Sequence, residues 1–210
     1  MGEDNGQGNG DTDGRERDDG RPALADQRGV ETVYQPAEDS ALLANTASER
    51  VDAGDRALDV GTGSGYVAAE LAAAGADSVG VDISPLACRE ADDNGVPVVR
   101  GDLLAPFRDE VFDLVVFNPP YLPTPEDAEW DDWMEHALSG GEDGRRLVDP
   151  FLDSVARVLA SGGEALLLVS SLTDPDAVVA YAREQGLAGE RLASEKHPYE
   201  ALVVLRFVGP

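Results

Sequence analysis

Short apolar runs and helical stretches of about ten residues alternate along most of this chain, and that alternation restricts the fold more than any other feature. The runs at 57–60, 78–82, 97–100, 112–117 and 164–169 read as strands. The stretches at 66–74, 85–93, 144–160 and 175–185 read as helices, and Pro36 followed by Ala-Glu-Asp-Ser opens another. A strand that is apolar at every position must be covered on both faces, which strand–helix–strand units achieve with a parallel sheet. Two closing runs, 189–196 and 201–207, flank the turn His197-Pro-Tyr-Glu200 and suit an antiparallel hairpin. The expected architecture is therefore α/β: a seven-stranded, doubly wound, Rossmann-like sheet ending in a C-terminal antiparallel hairpin.

Residues 1–28 differ in texture, being rich in Gly and Asp with almost no large apolar side chain. Such a segment cannot offset its ordering entropy, so it is expected to be a disordered acidic tail, with one domain over 29–210. The N-terminal sequence has no basic cluster followed by an apolar stretch, and no apolar run approaches the roughly 18 residues that span a bilayer. A cytoplasmic location is expected. The lone cysteine, Cys88, excludes an internal disulfide and a cysteine-built zinc site, so no metal is expected.

Charge narrows the partners. The formal net charge is −26, from 42 acids against 16 Lys and Arg. The tail's eight acids and four arginines account for only −4 of it. Lys196 is the single lysine. A folded surface this acidic and this poor in lysine points to a halophilic protein, because molar salt screens the self-repulsion while carboxylates keep the surface hydrated. At ordinary ionic strength the same field repels nucleic acid.

Four motifs fall at the ends of successive strands. The first, Asp59-Val-Gly61-Thr-Gly63-Ser-Gly65, follows a strand and opens a helix. Its glycines permit positive φ and close backbone approach to a ligand. The spacing G-x-G-x-G departs from the G-x-G-x-x-G of pyrophosphate readers and suits a ribose or carboxylate better. Asp82 ends the next strand, where a carboxylate can accept both hydroxyls of a ribose. Ser84, before Pro85, is the better helix cap, which leaves Asp82 to a ligand. Asp102 and Leu103 follow the third strand, placed to read an adenine amino group. Together these describe a pocket for an adenosine-like ligand without phosphates, and S-adenosyl-L-methionine fits.

The fourth motif, Asn118-Pro119-Pro120-Tyr121, closes the fourth strand. Its prolines remove N–H donors, so carbonyl oxygens are left to face the site. A planar amide or aromatic amine donates to the Asn118 oxygen and the Pro119 carbonyl while Tyr121 stacks on its plane. Neither histidine, His136 or His197, lies in a motif, so no dedicated general base is evident.

The set resembles class I S-adenosylmethionine-dependent methyltransferases that alkylate amide or exocyclic amine nitrogens. More narrowly, Val33-Tyr34-Gln35-Pro36-Ala37-Glu38-Asp39-Ser40 is similar to the V-Y-x-P-A-E-D-[ST] of the HemK-related protein-glutamine methyltransferases, in their short archaeal and eukaryotic branch. Gly140-Gly-Glu-Asp-Gly-Arg145 and Glu200-Ala-Leu-Val-Val-Leu-Arg-Phe207 resemble that branch as well. The loop at 126–138, with Trp130, Trp133 and Met134, is richer in acid and tryptophan than the family pattern. The resemblance implies methylation of the glutamine side-chain amide in the Gly-Gly-Gln loop of a class 1 translation release factor. It implies that Ser40, Asp59, Gly61, Asp82, Asp102, Leu103 and Asn118 surround the cofactor, and that Asn118, Pro119 and Tyr121 hold the glutamine. It also implies a small zinc-ribbon activator protein that covers an apolar sheet edge. Two alternatives stand beside this one: adenine in DNA or RNA, or another protein side chain, as acceptor, and a methyltransferase fold used only as a binding scaffold.

Overall fold

The structure is a computed structural model that describes residues 1, 33, 36–121, 123 and 140–209. The expected tail at 1–28, apart from Met1, lies outside the described residues, as do the Trp130–Trp133–Met134 patch and His136. The chain divides into two units, 1–30 and 31–210, and the second carries the architecture.

In chain order, α1 (Glu38–Ser48) precedes β1 (Arg56–Val60), α2 (Tyr66–Ala74), β2 (Asp77–Asp82), α3 (Pro85–Asp93), β3 (Val98–Arg100) and β4 (Phe112–Phe117). Then follow α4 (Val148–Val158), β5 (Leu159–Ser170), α5 (Pro175–Glu184), β6 (Ala188–Lys196) and β7 (Ala201–Val208). The sheet has seven strands in the order β3-β2-β1-β4-β5-β7-β6. The first five pair in parallel, and β7 lies antiparallel between β5 and β6.

Side-chain alternation along the strands builds a core on each face of the sheet. Leu58, Val115, Phe117, Leu167 and Leu205 pack with Phe151 and Leu152 of α4 and Val178 of α5. Their neighbours Ala57, Leu114, Val116, Leu166 and Val204 point the other way, against Leu43 of α1 and Val67 and Leu71 of α2. All these side chains are buried. At about 25 cal/mol per Å² of apolar surface, double coverage makes the central strands the most strongly held part of the sheet. Ser84 caps α3, its Oγ accepting from the amides of Leu86 and Ala87, so its sequence-assigned role as cap matches the geometry.

Two boundaries differ from the sequence reading. α4 begins at Val148 rather than 144, because Gly144 sits in a turn at φ 76°. Pro150 lies in its first turn, where no N–H is required. β5 begins at Leu159, directly after the helix, and its register against β4 shifts beyond the Phe112–Leu159 pair. Gly162 takes φ 84°, and a Cβ on Gly163 would come 2.7 Å from the Phe112 carbonyl oxygen. The two glycines let a bulge occupy the space between the expected helix and strand. No helix among the described residues is long and apolar enough to cross a membrane.

Candidate active site

Strand order runs outward from β1 through β2 to β3, then resumes on the other side of β1 with β4. Ligands of open parallel sheets bind beyond the strand C-termini at such a reversal. A cavity of about 680 Å³ opens there.

Its floor is the glycine loop after β1. Asp59 is buried, and its Oδ2 accepts from Thr62 Oγ1 at 2.7 Å and from the Ala68 amide at 3.2 Å. The carboxylate thus ties the loop to α2. Burial pushes its pKa up to about 7, against the pull of the Thr62 and Ala68 hydrogen bonds and with a small push from the Asp82 charge. Gly61 and Gly63 take φ 63° and 54° and line the cavity. A Cβ on Gly61 would come 3.3 Å from the Phe117 ring. Gly65 closes the same loop, just outside the residues that line the cavity. It caps α2 at φ 86°, where a Cβ would come 2.9 Å from Val96 Cγ2. Packing of α2 against the α3–β3 connection requires that glycine.

Asp82 reaches the cavity from the end of β2. Its oxygens already accept from the Gly63 amide at 3.0 Å and the Ser84 amide at 2.8 Å. The Ser84 cap therefore does not leave Asp82 to a ligand alone, as the sequence pattern suggests; the carboxylate also fixes the glycine loop. Each carboxylate oxygen keeps a second lone pair. Burial raises its pKa, partly offset by these amides. Asp102 and Leu103 line the same cavity. The turn that presents them needs Gly101, whose Cβ would lie 2.1 Å from Pro106 Cγ. Leu103 adopts φ 45°, a backbone state that side chains other than glycine hold only under strong constraint.

The opposite wall is the end of β4 with the first turn of α1. Asn118, Pro119, Pro120, Tyr121 and Ser40 all line it. Asn118 Nδ2 donates to Asp39 Oδ2 at 3.1 Å and to Ser40 Oγ at 3.4 Å. A carboxylate accepts only, so Nδ2 must face Asp39 and Oδ1 must face away from it. Asn118 Oδ1 is buried and has no hydrogen-bond partner. Tyr121 Oη donates to the same Asp39 oxygen at 3.3 Å. His197 lies in the β6–β7 turn, with Nδ1 3.1 Å from Glu38 Oε2.

Sequence reasoning missed the structural roles of three contributors. Asp39 stands inside a family motif, yet nothing in spacing says that it meets Asn118, 79 residues away. Thr62 anchors the loop and fills the space above Gly80, whose Cβ would come 2.6 Å from Thr62 Cγ2. The Gly140–Arg145 motif braces Tyr121: Thr173 Oγ1 donates to the Tyr121 carbonyl at 3.3 Å, and a Cβ on Gly144 would come 2.5 Å from that oxygen.

A methyltransferase-domain family model matches residues 58–120, the stretch from the glycine loop to the Asn118 motif. A Methanocaldococcus jannaschii protein named "Putative protein N5-glutamine methyltransferase" is 36% identical over 181 residues, 82% of this chain and 90% of that protein. The chain belongs to the HemK-related protein-glutamine methyltransferases. Methyltransferase HEMK2 of Homo sapiens is 33% identical over 90% of this methyltransferase and 92% of its own length. The methyltransferase also superposes on a chain of the E. cuniculi Mtq2–Trm112 complex, responsible for methylation of the translation termination factor eRF1. The TM-score there is 0.71 at 29% identity, over 85% of this chain and 99% of that one. A ribosomal protein L11 methylase from Lactobacillus delbrueckii shares the fold, with a TM-score of 0.58 at 18% identity, over 83% of this chain and 80% of that one.

Proposed function

We propose that this protein-glutamine methyltransferase uses S-adenosyl-L-methionine to methylate the side-chain amide nitrogen of the glutamine in a Gly-Gly-Gln loop of a class 1 translation release factor. The observation that carries the reading is Asn118 Oδ1: a buried acceptor without a partner at the rim of the cavity. Leaving such an atom unpaired costs about 1–3 kcal/mol, which an incoming N–H recovers.

The cavity fits the cofactor. Gly61 and Gly63 line it at positive φ, Asp82 offers acceptors for ribose hydroxyls, and Asp102 and Leu103, which also line it, are the proposed readers of the adenine edge. Ser40 and Asp59 complete the binding set, Asp59 by holding the loop. When bound, the cofactor supplies an electrophilic methyl group on a sulfonium. The chain's own part is alignment. Asn118 Oδ1 accepts a hydrogen bond from one N–H of the glutamine amide, the Pro119 carbonyl accepts one from the other, and Pro120 and Tyr121 bound the plane between them; as the methyl group passes from sulfur to nitrogen, one of the two protons leaves to solvent and the other stays on the methylated amide. A neutral amide is a weak nucleophile, so holding it in line is the main contribution, and orientation of this kind supplies roughly 7–11 kcal/mol of barrier reduction.

A small zinc-ribbon activator protein is the proposed partner. Of the two sheet edges, β6 carries Glu190, Arg191, Glu195 and Lys196, whereas β3 is three residues, Val98-Val-Arg100, beside Ile83, which is 56% exposed. The apolar β3 edge suits the partner.

The test offers radiolabelled S-adenosylmethionine with a release factor, DNA and tRNA in one reaction at molar KCl. Label on the factor, with the Gly-Gly-Gln peptide one methyl group heavier by mass spectrometry, is the expected outcome. Label on nucleic acid alone, or none, overturns it.

A further inference from the structure

We propose that Asp39 is the positioning residue that sets the direction of the Asn118 amide, and so restricts the site to acceptors presenting an N–H group. The inference rests on the amide-methylation reading above and adds what enforces it. A carboxamide has two ends of nearly equal size, and the end of a strand does not choose between them. If Nδ2 faced the cavity, the site would hold a carbonyl or carboxylate oxygen and repel the amide proton to be aligned.

The choice is made from α1. Asp39 is 5% exposed and lies in the first turn, next to Ala37 and Glu38, where Ala37 makes no side-chain cap. Its Oδ1 accepts from the Ser40 amide at 2.6 Å, which fixes the plane of the carboxylate. Its Oδ2 then takes both Asn118 Nδ2 at 3.1 Å and Tyr121 Oη at 3.3 Å. Both ends of the Asn118–Tyr121 motif thus hang from one oxygen of a charged group, and charge-assisted bonds are about twice as strong as neutral ones. The negative charge also polarises the Asn118 amide toward its oxygen, which strengthens Oδ1 as an acceptor. An asparagine at position 39 has the same shape but presents either oxygen or NH2, so the Asn118 amide loses its fixed direction.

The test is Asp39→Asn, checked for folding by its melting temperature. Calorimetry with S-adenosylhomocysteine is expected to give an affinity within about threefold of wild type, while kcat on the release factor falls about 100-fold. The deciding readout is acceptor preference. Wild type is expected to bind the Gly-Gly-Gln form of the factor over its Gly-Gly-Glu form, with Asp39→Asn narrowing that preference about tenfold or more and Asp39→Glu, which still only accepts, retaining it. A fall in kcat with the preference intact marks a structural role and overturns the proposal, as does an unchanged kcat. If wild type does not methylate the factor at all, the amide-methylation reading fails separately. The side-chain NH2 resonance of Asn118, assigned with Asn118→Ala, then decides: it shifts in ligand-free Asp39→Asn, and a resonance that stays in place overturns the assignment of Asp39.

Discussion

Asn118 and Asp59 are both polar groups at the ends of central strands, yet they do different work. Asn118 keeps an unpaired acceptor at the cavity rim, buried from water. Asn118→Ala is expected to lower kcat by about 100- to 1,000-fold, the range for losing one positioned hydrogen-bonding group, with S-adenosylhomocysteine affinity nearly unchanged by calorimetry. A wild-type rate in purified Asn118→Ala would refute the catalytic assignment. Asp59 spends its hydrogen bonds inside the loop, and burial holds its pKa at about 7 against an ordinary 3.8. The folded state therefore binds this proton more tightly than the unfolded chain. The stability it contributes is full below about pH 4 and is lost as pH rises through about 7. Melting temperatures of wild type and Asp59→Asn, measured from about pH 4 to about pH 8, should show wild type losing ground steadily to the variant. Parallel curves would mean that Asp59 is not protonated in the fold.

At the level of elements, glycines set where helices and strands can approach one another. Gly65 and Gly54 both have positive φ, 86° and 89°, but a Cβ on Gly65 would collide with Val96 while one on Gly54 meets nothing within 4 Å. Gly54→Ala is expected to cost about 1 kcal/mol, the backbone penalty alone, and Gly65→Ala about 1–3 kcal/mol more from overpacking between α2 and α3. Chemical denaturation of the two variants checks the difference, and equal losses would contradict the packing account. The strands and helices were legible in the sequence because their apolar period is local. The bulge in β5 was not, since a Ser-Gly-Gly stretch reads equally as a loop until a neighbouring strand is there to pair with it. Gly140–Arg145 was visible as a motif, but its brace on Tyr121 depends on Thr173, on another element.

Charge governs the behaviour of the whole molecule. With −26 on 210 residues, self-repulsion opposes the compact state in dilute buffer. Local pairings answer part of it. Glu164 is bound by Arg50 and by Arg206, which also reaches Glu190 at 2.8 Å. Burial raises the Glu164 pKa, but the two guanidiniums outweigh it and bring the carboxyl below its ordinary value. Such a cluster supports β5, β6 and β7 at neutral pH and weakens only in acid. The melting temperature should climb steeply as KCl rises from about 0.1 M to about 3 M, where the Debye length falls to about 3 Å or less. A sharp, high melt in dilute buffer at neutral pH would contradict the halophilic reading.

The amino-acid sequence alone was enough for the order of elements, the doubly wound sheet with its closing hairpin, and the motifs at the strand ends. Each of these follows from residues close together in the chain: apolar period, turn glycines, proline after asparagine. What those motifs do to one another was settled by packing in three dimensions. It gave Gly65 a packing task against Val96 and Asp82 a second task in holding the glycine loop. It also brought Asp39 to Asn118, which chooses the end of the amide that faces the cavity. Those outcomes depend on hydrogen bonds and steric contacts between distant segments, and a linear pattern carries no distance of that kind.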